Sequence, residues 1–121
     1  MKRDLEIIRA IMLNVEADKY PYGSDVRLDG VDPVVCARHV ALILDAGLAV
    51  GRLIETNSHG IVGGQIDRLT SAGHDFCEGI RHDTIWNHVK ERIIKPGAAY
   101  TITAVVEMVR VLVQKQVLGT E

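Results

Sequence analysis

The sequence predicts a mainly α-helical domain with one small β-hairpin, an α+β arrangement like that of a winged helix. Apolar residues recur at steps of three and four near the N-terminus and again in the last third, the pattern of helices with one buried side. Two short apolar runs flank a centre rich in glycine, asparagine and serine, as two strands flank a turn. The hairpin follows directly on a helix, the order in which a wing follows a recognition helix.

Each element has a local cause. The first helix spans Lys2 to about Ala17, with Leu5, Ile8, Ile11, Met12 and Val15 on one stripe. Pro21 and Gly23 break it. Asp25 to Asp29 alternates apolar and charged residues and reads as a short strand. Asp32 before Pro33 is an N-cap followed by proline in the first helical turn, and the helix from Pro33 to Ala46 ends at Gly47. Strands are expected over Leu48–Ile54 and Ile61–Leu69, joined through Glu55–Gly60. Thr70 or Ser71 caps a helix from Ala72 to about Arg81. Another starts at Asp83 or Thr84, continues through Trp86, Val89, Ile93 and Ile94, and stops at Pro96–Gly97. The last helix runs from about Thr101 to Leu118. No repeat, low-complexity tract or long linker divides the chain. It reads as a single domain over 1–121, with a winged-helix-like core over about 1–82 and C-terminal helices over about 83–118.

Composition narrows the function classes. At 121 residues, 47% hydrophobic and 25% charged, the chain is expected to fold around a proper core. Its 14 basic and 16 acidic side chains exclude a polycation. Two cysteines, Cys36 and Cys77, suit a reducing compartment rather than a disulfide scaffold. Asp4 and Glu6 interrupt the apolar residues of the N-terminus, which is therefore read as no signal peptide, and no apolar run approaches the roughly 18 residues that span a bilayer. A cytoplasmic location without membrane contact is expected.

The stretch from Arg68 to Lys90, RLTSAGHDFCEGIRHDTIWNHVK, is more specific than any of these patterns. Together with the opening Met1-Lys-Arg-Asp-Leu and the segment His39–Leu48, it resembles the small bacterial and phage family catalogued as domain of unknown function 2513. The resemblance covers roughly residues 1 to 95. It implies a winged-helix-type fold and a phage or mobile-element origin more than it implies an activity. The glycine-rich loop Thr56–Gly64 departs from the pattern and predicts a mobile wing tip.

Double-stranded DNA is the first partner to weigh. A winged helix would insert the Pro33–Ala46 helix into the major groove, with Arg38, Arg52 and Arg68 on phosphates and Asn57 and His59 exploring the groove beside the wing. The charge supply is thin: within the helix only Arg38 and His39 are possible cations, and acids are interspersed with the basic residues elsewhere. The rival reading is a protein-interaction module that keeps the shape without the basic surface, docking through Ala37, Ala41 and Leu44. Its discriminating sign is a neutral apolar face in place of a positive ridge.

Other chemistry is weaker. Cys36 with His39, and His74 with Cys77, have metal-ligand spacing, but both pairs fall on helices rather than on a knuckle, so the cysteines read as small buried hydrophobes. Ser71, His74 and Asp75 are close only in sequence, and Gly60, Gly63 and Gly64 lack the lysine of a phosphate loop. No catalytic residue, metal or cofactor is assigned. The last helix is apolar over more than half of its circumference, which predicts a homodimer through Val105, Met108, Val109 and Leu112.

Overall fold

The computed structural model describes residues 2–93 and 100–118. Five helices and two strands follow in order: α1 (Leu5–Glu16), α2 (Pro33–Asp45), β1 (Ala49–Thr56), β2 (Gly60–Leu69), α3 (Ser71–Ile80), α4 (Asp83–Ile93) and α5 (Ile102–Leu118). The chain is mainly helical with one antiparallel hairpin. It divides into two compact units, Met1–His74 and Asp75–Glu121, the division falling inside α3.

In the first unit the helix ends are set by their caps. The Asp4 carboxylate accepts from the Glu6 N–H at 2.9 Å to start α1, and Asp32 accepts from Val34 N–H at 2.8 Å to start α2, with Pro33 just inside. Both helices end alike. Lys19 N–H reaches Asn14 O after α1, and Leu48 N–H reaches Ile43 O after α2, each across a residue with positive φ: Asp18 (56°) and Gly47 (75°). Thr70 then ties the end of α2 to the start of α3. Its hydroxyl donates to Gly47 O at 2.6 Å and accepts from Gly73 N–H at 3.0 Å.

The core of this unit gathers Ile8, Ile11 and Met12 of α1 with Cys36, Val40 and Ile43 of α2 and Leu48, Ile66 and Leu69 around the hairpin, all buried. The hairpin pairs Ala49 with Leu69 and Thr56 with Gly60, with irregularities after Val50 and Ile54. α2 lies so close to β2 that a Cβ on Gly64 would stand 2.8 Å from Val40 Cβ.

The strand expected over Asp25–Asp29 is not formed. Val26 N–H donates to Gly64 O at 2.8 Å, but the Val26 carbonyl accepts from the Arg27 guanidinium at 3.4 Å in place of a backbone N–H of β2. With no backbone bond returning from β2, the alternating pattern yields a single bond and no ladder.

In the helical unit, α4 starts at Asp83, whose acidic side chain suits the first turn, and Trp86 N–H bonds to His82 O. α5 is capped by Thr101, whose hydroxyl accepts from Ala104 N–H at 3.0 Å. Ile85, Trp86, Val89 and Ile93 of α4 are buried, as are Ile102, Val105 and Val109 of α5. Gly79 of α3 lets α5 approach, since a Cβ there would overlap Val109 and stand 2.8 Å from Val113 Cγ2. The expected stop at Pro96–Gly97, and Ile94, lie outside the described residues.

Candidate interaction surface

On α2, the exposed or half-buried positions Val34, Arg38, Ala41, Leu42 and Asp45 share one side of the helix, three and four residues apart. Arg38 is the only basic residue among them and Asp45 offsets it. A shallow cleft beside Arg38 is completed by Glu55, Gly60 and Ile61 at the tip of the hairpin. An acid therefore faces the one arginine that the helix presents.

Two expectations for α2 are corrected. Ala37 is fully buried, so it contributes nothing to an outward apolar face; Ala41 and Leu42 take that position, while Leu44 is half-buried. His39 is fully buried too and serves no phosphate. Its Nδ1–H donates to Val35 O at 2.8 Å and its Nε2 accepts from Asp4 N–H at 2.9 Å. Because the first partner can only accept and the second only donate, the ring is the neutral Nδ1–H tautomer. Both nitrogens being engaged, the Cys36–His39 pair holds no ligand position for a metal.

The hairpin has a second, outward surface. Val50, Arg52 and Ile54 alternate along β1 and are exposed. Arg52 is the centre of a network: it donates to Gln65 Oε1 at 2.6 Å, to Asp67 Oδ2 at 3.0 Å and to Tyr22 Oη at 3.3 Å. Its guanidinium lies 5.6 Å from the centroid of the Tyr22 ring, a cation–π contact. Gln65 in turn donates to Gly23 O and to Asp25, and Asp25 pairs with Arg27 at 3.3 Å. Each arginine of this surface thus has an acidic neighbour. Tyr22, 81% exposed, and Val50 and Ile54, each 40% exposed, are three of the four large hydrophobic side chains left open among the described residues.

Of the other residues weighed for nucleic acid, Arg68 is exposed near the base of the hairpin and its guanidinium donates to Leu69 O at 3.4 Å. Asn57 and His59 stand exposed at the tip, where Ser58 Oγ is 2.8 Å from His59 Nδ1 and His59 N–H donates to Thr56 Oγ1. Residues 1–74 carry eight basic and ten acidic side chains. Tyr22 and Asp67 escaped the sequence reading. The cross-strand register of Arg52 opposite Gln65 would have pointed to this side of the sheet, but two irregularities in the ladder hide that register from spacing alone.

In the helical unit, Val105 and Val109 are buried within the packing and cannot serve a dimer interface as expected, because Gly79 and α4 leave room for that side of α5 to seat inward. Met108 and Leu112 are half-buried. With Ala104, Val111 and Lys115 they line an open groove whose α4 wall is His88 and Arg92. Glu107, also on the groove, pairs with Arg110 one turn on, and that hydrogen bond holds its carboxyl below the usual glutamate range.

A family model described as hypothetical protein (DUF2513) matches residues 2–99. The chain belongs to the DUF2513 family. An uncharacterised protein of Haemophilus influenzae is 27% identical over 117 residues, covering 95% of this DUF2513 chain and 98% of that relative. No solved structure matches the chain. Among the described residues of this DUF2513 member, no group of three or more histidine, cysteine, aspartate or glutamate side chains is placed to hold a metal ion, and no helix is long and apolar enough to cross a membrane.

Proposed function

We propose that this protein is a non-catalytic protein-interaction module that docks its partner on the outer face of the hairpin. The observation that carries the reading is the exposed cluster of Tyr22, Val50 and Ile54 around an arginine whose charge is already offset by Asp67. Tyrosine and arginine are the residue types that anchor protein interfaces, and an apolar surface with neutralised charge suits a protein better than a polyanion. Self-association through the helical unit belongs to the same reading. The partner is expected to be retained by the wild-type chain and lost with Tyr22→Ala or Ile54→Asp, while both variants keep the wild-type unfolding midpoint. Retention unaffected by either change overturns the docking surface.

Duplex DNA is the second reading. It is favoured by Arg38, exposed on α2 beside a hairpin tip that presents Asn57 and His59. Anisotropy of a labelled random duplex, titrated at two salt concentrations, separates the two. The interaction reading expects no salt-sensitive binding. Binding that weakens by about 0.9 log units per log unit of salt for each phosphate contacted, and that Arg38→Ala with Arg52→Ala abolishes, establishes DNA instead.

A further inference from the structure

The groove on α5 deepens the self-association reading, because its residues are arranged to receive a second copy of the same helix. Ala104, Met108, Val111 and Lys115 follow at steps of four, three and four and form one stripe of α5, about a third of a turn away from the buried stripe of Ile102, Val105 and Val109. The stripe is apolar for its first three positions, and Val111 is the one large hydrophobic residue of the helical unit, among those described, that is left open (39% exposed). Single exposed valines are ordinary; a continuous apolar stripe on a helix that already buries another side is not.

The charges say which partner fits. Glu107, bonded to Arg110 on its own helix, lies four residues before Val111 and Lys115 four residues after it, and both line the groove. When two such helices run antiparallel, a twofold axis at Val111 brings Glu107 of each copy opposite Lys115 of the other, while Val111 meets its own counterpart. A parallel pairing sets like charge against like. We propose that the protein forms a C2 dimer through an antiparallel α5–α5 seam centred on Val111, with Met108 and Ala104 packed along it and two reciprocal Glu107–Lys115 ion pairs at its flanks. The seam rests on the self-association reading and is independent of whether the hairpin face takes protein or DNA.

Sedimentation of the full chain over micromolar concentrations reads the outcome, with helix content checked by circular dichroism. The wild type is expected at twice the 13.3 kDa chain mass. Glu107→Lys and Lys115→Glu are each expected to weaken the dimer by about tenfold or more, and the double variant to recover most of that loss. Val111→Cys is expected to give a disulfide-linked dimer on mild oxidation, since Cys36 and Cys77 are fully buried. A monomer at every concentration overturns self-association and the seam together. A dimer that Val111→Asp leaves intact overturns the seam alone; a double charge swap without recovery overturns the antiparallel register, and no cross-link overturns the placing of the axis at Val111.

Discussion

The backbone N–H of Asp4 is hydrogen-bonded to Nε2 of His39 at 2.9 Å, across a separation of 35 positions in sequence. The contact joins the first residue of the α1 cap to the interior of α2. It turns a histidine that resembles a surface cation in sequence into a structural bracket between two helices. Replacing His39 by Leu nearly keeps the volume but strands the Asp4 N–H, whereas the Val35 carbonyl keeps its partner in the helical ladder of α2. Urea unfolding is expected to show a loss of about 1–3 kcal/mol. A variant as stable as the wild type shows that the bracket contributes nothing.

The close approach of α2 to β2 makes a side chain at Gly64 costly. Its carbonyl accepts from Val26 N–H, so the strand cannot move away to admit a methyl group beside Val40. Gly64→Ala is expected to destabilise by about 1–3 kcal/mol. Trimming the opposing side chain with Val40→Ala in the same molecule is expected to return part of this, with a coupling of about 1 kcal/mol in a double-mutant cycle. Additive effects place the strain elsewhere.

Tyr20 is expected to add an alkaline limb to the stability of the first unit. Burial pushes its ionisation above the usual tyrosine value, opposed by the hydrogen bond from Asn14 and supported by nearby Cys36. The folded state therefore holds the phenolic proton more tightly than the unfolded chain. The resulting stability is fully present below the ordinary value of about 10 and is lost as pH rises through the folded one. Tyr20→Phe loses the bond to Arg27 O, at a cost of about 1 kcal/mol near neutral pH, and flattens this alkaline limb. Unfolding midpoints measured from neutral to alkaline pH check both; an unchanged slope in the variant assigns the limb to another group.

Gly79 sets the spacing of α3 and α5. Gly79→Leu drives a side chain into Val109 and Val113 and is expected to cost about 1–3 kcal/mol. Hydrogen exchange is expected to quicken in α5 while α1 and α2 keep their protection. Uniform protection in α5 shows that the two helices accommodate the side chain by rearranging.

The elements themselves were legible in the sequence because their causes are local. Asp32–Pro33 and Gly47 mark both ends of α2, Thr70 the start of α3 and Thr101 that of α5, and the hairpin follows from its two apolar runs and polar turn. The strand at Asp25–Asp29 failed because only Val26 N–H reaches β2, and no backbone bond returns to its carbonyl.

The surfaces were a different matter. The apolar content of α5 was plain in the sequence, but it formed two stripes, and only packing decided that Val105 and Val109 go inside while Val111 stays open. In the same way, only the folded chain lays Tyr22 on Arg52 and sets Asp67 beside it. Caps and periodicities are short-range and are written in neighbouring residues. Which side of a helix faces the core, and which charges meet across a sheet, depends on groups far apart in sequence, and the tertiary structure alone assigns them.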